Sequence, residues 1–295
     1  MKKEIFCSFI CAVYNCEKYI KKALESMLYQ TSNDFEIIIV NDGSNDHTEN
    51  IIKSFVSDKI KYFKTTHSGC WKTKNFAISQ TKGKFLCFID SDDYISENYL
   101  ASAINLIEKN NTYEYFYPTL MNIVQEDESP TDSIWRYIDY PISRRNQLIK
   151  LFWERQIGGI PHAGAFIKRD VFQRCGLYND TYFNLSDTDF IIRNALKIKF
   201  LLLPELLYYY NRQHPKQTNA NNQERFRTYS EILEYIIKEY PTEYFLSQKI
   251  KKNSQAFLNI CLDKFMSLAH ATDNNKYYLE KAKKYLQLLR HAENP

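Results

Sequence analysis

Gly83-Lys84-Phe85-Leu86-Cys87-Phe88-Ile89-Asp90-Ser91-Asp92-Asp93 carries the plan of this chain in eleven residues. Lys84 to Ile89 is a short apolar run of the kind found in strands covered on both faces of a parallel sheet. Its C-terminal end delivers Asp90, Asp92 and Asp93 around one serine. Open α/β sheets bind their ligands outside the carboxyl ends of such strands. Three acids in four residues repel one another and call for a counter-charge. A hard divalent cation supplies it and keeps coordination positions open for phosphate oxygens. The plainer alternative is an acidic surface turn that caps a helix starting near Ser96, and Asp-x-Asp alone does not decide between them.

The residues upstream supply context. Ile5 to Val13 is a β-rich run ending at Tyr14-Asn15, followed by Glu17 to Gln30 with Ile20, Leu24, Met27 and Leu28 at helical spacing. Phe35 to Val40 is a second buried strand, ending in Asn41-Asp42-Gly43-Ser44. An amphipathic helix then carries Ile51, Ile52, Phe55 and Val56 on one face, with Ser44 or Asn45 as N-cap. Ile60 to Phe63 reads as a third strand, Trp71 to Thr81 as a third helix, and Lys84 to Ile89 as the fourth strand. Strict β-α alternation of this kind predicts a parallel sheet with right-handed crossovers.

Downstream the pattern loosens. Ser96 to Glu108 reads as a helix, Tyr113 to Tyr117 and Thr119 to Val124 as strands, and Gln125 to Asp132 as a polar loop. Arg144 to Gln156 reads as helix, Ile157 to His162 as a loop, Ala163 to Ile167 as a short strand, Asp187 to Leu196 as helix and Glu205 to Tyr210 as a last strand. Beyond Pro215 the chain is helical and basic. Phe257, Cys261, Phe265 and Leu268 form one apolar stripe, and Tyr278, Ala282, Tyr285, Leu286 and Leu289 another. All seven glycines lie between Gly43 and Gly176, so the turns that need a permissive backbone belong to the first two thirds of the chain. The division expected is residues 1–100 and 101–215 as two halves of one domain, then 216–295 as a basic helical region.

Composition narrows the function classes. Hydrophobic residues make up 44% and charged residues 25% of 295, which is ordinary for a globular protein. From Ser247 onward nine basic side chains face four acidic ones, so the rest of the chain is slightly acidic. That distribution argues against a nucleic-acid-binding body. The seven cysteines show no Cys-x-x-Cys spacing and read as reduced, mostly buried thiols, which points to a cytoplasmic protein. Met1 to Glu4 lead directly into a strand, with no signal-peptide core. Phe200 to Tyr210, the most apolar later run, is about half a membrane span and contains Pro204 and Glu205.

The ordered motifs AVYNCEKYIKKALESMLYQ, FEIIIVNDGSNDHT, KNFAISQTKGKFLCFIDSDD, NLSDTDF and LLYYYNRQHP together resemble the family 2 glycosyltransferases. The resemblance is dense from Ile5 to about Leu100 and patchier to about His214. It implies the α/β GT-A fold, a Rossmann-like, mostly parallel central sheet flanked by helices, here with a helical C-terminal extension. It also implies roles for individual residues. Ala12, Tyr14 and Asp42 would hold the nucleoside, with Lys74 standing where the family usually has arginine. Asp90 would contact the ribose, and Asp92 would bind Mn²⁺ or Mg²⁺ bridging the diphosphate. Asp93 would face the donor sugar or start the next helix, and His214 would reach the metal or the diphosphate. Asp187 would be the general base, in a pair where Ser186 replaces the family's usual glutamate; a helix N-terminus favours its ionised form. For Asp42 an Asx-turn is the structural alternative, and for Asp187 a helix cap. His162, beside Gly158-Gly159, is a candidate for the acceptor side.

The implied reaction is a metal-assisted single displacement. It moves a sugar with inversion from a nucleotide-diphosphate sugar, a UDP-sugar above all, to a hydroxyl of a glycan or lipid-linked glycan. The basic C-terminal region is expected to pack on the body, pair two copies, or lie on an anionic membrane surface. Three other readings compete. An Asp-x-Asp-x-Thr phosphatase would carry its motif after the first strand and a Thr or Val where Tyr94 stands. A nucleotidyltransferase would need a glycine-rich loop after strand one. A sugar-nucleotide-binding scaffold without catalysis would account for Ser186.

Overall fold

The computed structural model describes residues 5–124, 130–136, 146–155, 162–211, 222–241, 244, 255–270 and 275–293. The first half alternates as the periodicity predicts: β1 (Cys7–Val13), α1 (Ile20–Leu28), β2 (Phe35–Asn41), α2 (Thr48–Ser54), β3 (Ile60–Lys64), α3 (Cys70–Ser79) and β4 (Phe85–Phe88). β1 runs parallel to both β2 and β4, and β2 parallel to β3. Successive residues of β1 serve opposite layers. Phe9, Cys11 and Val13 join the apolar face of α1. Ile10 points the other way, with Ile38, Val40 and the buried side of α3.

The second half is β5 (Tyr94–Ile95), α4 (Tyr99–Lys109), β6 (Tyr115–Val124), β7 (Pro130–Arg136), α5 (Asn146–Arg155), β8 (Phe166–Lys168), α6 (Arg169–Cys175), α7 (Ser186–Arg193) and β9 (Phe200–Asn211). All strands join one sheet of order β3-β2-β1-β4-β8-β6-β9-β5, with β7 on β6. β8 is antiparallel to both neighbours, whereas β6 and β9 run parallel to each other and in the direction of β4. A mostly parallel sheet with helices on both faces is the fold the sequence leads one to expect.

Several expectations need correction. Tyr113–Tyr117 and Thr119–Val124 merge into the single strand β6, and β9 begins at Phe200, five residues before Glu205. The pairing of β6 with β9 shifts register between Pro118 and Leu120, opposite Leu203 and Leu207. Proline donates no ladder hydrogen bond, so Pro118 and Pro204 read as breaks when they mark a bulge inside continuous strands. The N-cap of α2 is His47 and not Ser44 or Asn45. Ser44 instead receives the Asn15 N–H, and the Asn45 N–H goes to Asn15 Oδ1. α4 begins at Tyr99, because Tyr94 and Ile95 pair with β9.

The C-terminal helices α8 (Asn222–Glu239), α9 (Gln255–His270) and α10 (Asn275–Glu293) complete the core on the α3 side. Cys261, Phe265 and Leu268 of α9 are buried, as are Tyr278, Ala282 and Tyr285 of α10, with Phe265 stacked on Tyr285 at 5.4 Å between ring centroids. Leu286 departs from its expected stripe and is partly exposed. Tyr229 donates to the Phe152 carbonyl and Lys264 to the Trp153 carbonyl, which ties these helices to α5. Lys281 and Lys284 pair with Glu234, and Lys283 with Glu280. Of the three roles weighed for this region, packing on the body is where the stripes go. Lys249, Lys251, Lys252 and the Arg290 side chain lie outside the described residues. No described helix is long and apolar enough to cross a membrane, and all seven cysteines are free thiols.

Candidate active site

The ends of β1, β2 and β4, the N-terminus of α3 and the N-terminus of α7 supply the side chains singled out in the sequence. Ala12 is half-buried on β1, paired with Val40. Tyr14, just beyond the strand, is exposed and lies flat against His67, with 4.0 Å between ring centroids and 22° between planes. Asp42 is buried and accepts from the amides of Ser68 and Gly69, each at 2.9 Å. His67 Nδ1 stands 2.9 Å from Asp42 Oδ2, the oxygen that also receives the Gly69 N–H. Its carboxylate therefore closes the 65–69 turn, while His67 joins it to Tyr14. Gly43 makes this turn possible: it has φ +74°, and a Cβ there would lie 2.8 Å from the His67 amide nitrogen. His67 was not picked out from the sequence, since its place depends on a turn that meets β2 only in three dimensions.

Lys74 comes from the second turn of α3 and reaches Asp90 Oδ1 at 2.9 Å. The lysine side chain is 6% exposed and the aspartate 39%, so the pair is open on the acid's side only. Burial by itself would raise the Asp90 pKa; the Lys74 ammonium, by charge and hydrogen bond, outweighs it and holds Asp90 below the usual carboxylate range. Lys74 itself is raised, because the charges of Asp90 and its other neighbours overcome the cost of burial. A point charge is sufficient here, where the family's arginine would bring a planar fork.

Asp92 and Asp93 diverge. Burial and then the Asp90 charge push Asp92 up to about 7. Asp93 is 1% exposed and accepts from Tyr208 Oη at 2.6 Å and the Asn211 N–H at 2.8 Å. It thus ties the acidic loop to the end of β9, and Tyr208 Oη also receives the Asp90 N–H at 3.3 Å. No cluster of three or more His, Cys, Asp or Glu arranged to hold a metal occurs among the described residues. The donor chemistry at Asp90 and Asp92 nonetheless fits Mg²⁺ or Mn²⁺: hard carboxylate oxygens whose mutual repulsion a divalent cation would relieve. Magnesium in particular is often held by one or two carboxylates plus substrate phosphates. His214 lies outside the described residues.

Asp187 is the second residue of α7, behind Ser186, with Leu185 at φ +59° as N-cap. Its Oδ1 accepts the Thr188 N–H at 2.7 Å. Burial raises its pKa against that hydrogen bond, and Lys74 and Asp90 both act on it electrostatically, so it belongs to the same site. Ser186 is buried and donates to the Asn179 carbonyl at 2.7 Å. Asp189, the neighbouring acid, is bound to Arg193 at 2.7 Å and turned to that partner.

Beside Lys74, the rings of Trp71, Phe88, His162 and Tyr178 pack into an aromatic wall. His162 is buried, 4.6 Å from the Phe88 ring and with Nε2 3.4 Å from Tyr178 Oη. Burial, then the Lys74 charge, push it down to about 3, so it works as a neutral imidazole. Trp71 packs on Tyr178 and carries Lys74 over its ring at 5.0 Å. The Trp71 Nε1–H is buried without a hydrogen-bond partner among the described residues, a costly condition that a bound polar ligand would relieve. Trp71 stands three residues before Lys74 on a helix, which puts both on one face; that spacing was the available signal. Tyr178 and Tyr208 left none.

The profile of glycosyl transferase family 2 matches residues 8–176, more than half of the chain. The chain belongs to that family. An uncharacterised glycosyltransferase of Rickettsia prowazekii is 26% identical over 88% of this chain and 80% of its own length. One from Rickettsia typhi is 40% identical over 35% of this chain and 32% of its own. Several of the curated relatives are thus matched over only about a third of their length or less. Among solved structures, the 1–349 fragment of Staphylococcus aureus TarS, in complex with UDP-GlcNAc, superposes with a TM-score of 0.63 at 17% identity, over 98% of this chain and 91% of the fragment. GalNAc-T7, solved with UDP, GalNAc and Mn²⁺, gives 0.61 at 14% identity, over 95% of this chain and 57% of that one. The GT-A fold of this family 2 member is the architecture described above.

Proposed function

We propose that the protein transfers a sugar from a UDP-sugar to a hydroxyl of a glycan or lipid-linked glycan, inverting the anomeric configuration in one displacement. The observation that carries this reading is the Lys74–Asp90 pair at the carboxyl edge of the sheet, with Asp187 within electrostatic reach of both groups. TarS and GalNAc-T7, both solved with UDP-containing ligands, share the fold and make UDP the nucleotide to test first. Tyr14 offers a ring to the base, Asp42 an acceptor to its imino group, and Asp90 an acceptor to the ribose. The buried Trp71 Nε1–H is a donor in want of a sugar or phosphate oxygen.

Asp187 takes the proton of the attacking hydroxyl. A raised pKa makes it a stronger base than an ordinary carboxylate, and the Thr188 amide fixes its orientation. Lys74 places positive charge near the departing diphosphate. Mn²⁺ or Mg²⁺ bound at Asp92 would offset further charge there. Leu177 and Phe183, both exposed, flank the loop leading to Asp187 and offer the acceptor an apolar surface.

The test is a panel of UDP-sugars with and without Mn²⁺, read by thermal shift and by UDP release. A donor at 100 times its Kd stabilises by about 2.7 kcal/mol. A protein that none of the panel stabilises, and that releases no UDP from any of them, does not have this function.

A further inference from the structure

Asn75 follows Lys74 on α3, and its side chain makes two hydrogen bonds to one residue 103 positions away. Its Nδ2 donates to the Tyr178 carbonyl at 2.9 Å, and its Oδ1 accepts the Tyr178 N–H at 3.1 Å. The amide thus pairs with the backbone of residue 178 on both its polar groups, as a neighbouring strand would. From Tyr178 the chain runs to Asp187 through a loop closed on itself. Asn179 Oδ1 accepts from the amide and hydroxyl of Thr181, and the Asn179 carbonyl receives the Ser186 hydroxyl at 2.7 Å. Arg193 of α7 donates to the Leu177 carbonyl at 3.4 Å. Residues 177–187 therefore form a braced unit, and Asn75 is where that unit is pinned to the helix carrying Lys74.

We propose that Asn75 is a positioning residue that sets Asp187 against the Lys74–Asp90 pair. Ser186 completes the link at the position where the family's usual glutamate is missing. This rests on Asp187 being the base, as proposed above. The physical requirement is distance. Transfer needs the acceptor oxygen, the anomeric carbon and the base aligned, and a displacement of about 1 Å costs on the order of 10²-fold in rate. No other described side chain donates to and accepts from the backbone of the Tyr178 loop in this way. Removing the amide frees the loop while Lys74, Asp90 and the acidic loop keep their own bonds.

The experiment measures UDP release from saturating UDP-GlcNAc, and UDP affinity by calorimetry, for wild type, Asn75→Ala, Asp187→Asn and the double variant. Asn75→Ala is expected to lose roughly 10²-fold in kcat with UDP affinity unchanged. In the Asp187→Asn background the same change should cost less than about threefold, because residues acting as a unit are not additive. An equal loss in both backgrounds overturns the proposal, since Asn75 would then act other than through Asp187; so does a loss below about threefold in the wild-type background. Asp187→Asn alone reports on the base: if that variant keeps its rate, the base assignment is what fails. Should Asn75→Ala not fold, Asn75→Asp takes its place. It keeps the acceptor for the Tyr178 N–H, removes the amide donor, and is expected to lose about tenfold in kcat by the same reasoning.

Discussion

Replacing Tyr208 by phenylalanine removes one oxygen from a fully buried ring and keeps its shape. That oxygen donates to Asp93 Oδ2 at 2.6 Å and accepts the Asp90 N–H at 3.3 Å. Burial, then the Asp92 and Asp90 charges, raise the Asp93 pKa well above the usual carboxylate range, so this bond counts as one between uncharged groups, about 0.5–1.5 kcal/mol. The Asp90 amide, whose contact is long, adds a penalty at the low end of the usual cost of an orphaned buried donor, about 1 kcal/mol. The expected destabilisation is therefore about 2 kcal/mol, of which packing contributes little because the ring remains. For a chain of this size each kcal/mol moves the midpoint by roughly 2 °C, so Tm should fall by about 4 °C. Scanning fluorimetry reads it, and combination with Asp93→Asn should fall short of additivity, because the two residues share the bond. UDP release should fall as well, since the acidic loop loses an anchor. A Tyr208→Phe protein that melts within about 1 °C of wild type would refute the claim that this bond holds the loop to β9.

Asp92→Ala should abolish metal-dependent turnover with Tm nearly unchanged, because the carboxylate lies at the sheet edge; full activity in EDTA would remove the metal role. The acid limb of the rate profile should lie above the ordinary aspartate value of about 3.9, because burial raises Asp187 and a base acts only when deprotonated. A limb at or below that value would assign it to another group. Phe265→Ala should destabilise by about 3–5 kcal/mol, since Phe265 is fully buried against Tyr285; a protein indifferent to it would have C-terminal helices that add nothing to the core.

The first half of the chain was legible because each motif ends a buried run, and buried runs of four to seven residues are what strands of a parallel sheet look like. Asp90, Lys74 and Asp187 could be named from their motifs; Lys74 and Asp90 pair at 2.9 Å, and Asp187 lies within electrostatic reach of both. The second half was harder for physical reasons. β8 is three residues long and β5 two, too short for a period to show. Pro118 and Pro204 sit at a bulge that looks like two chain breaks. The contacts that shape the site, Asp42 with the 68–69 amides, Asn75 with Tyr178 and Tyr208 with Asp93, join turns and strands far apart in sequence. No local pattern announces them. The tail's stripes were visible, but amphipathicity alone does not say what an apolar face meets.

The bond between Tyr208 and Asp93 joins positions 115 apart in sequence. The described part of the chain between them, from the short β5 to most of β9, leaves the carboxyl end of β4 and returns to within hydrogen-bonding reach of that point of departure. Topologically it is an insertion whose two ends meet, the arrangement under which foreign segments are accommodated in a folded host. Under the proposed function, a lineage could change which acceptor is presented by exchanging the outer parts of this excursion, provided the 177–187 unit that carries Asp187 is kept.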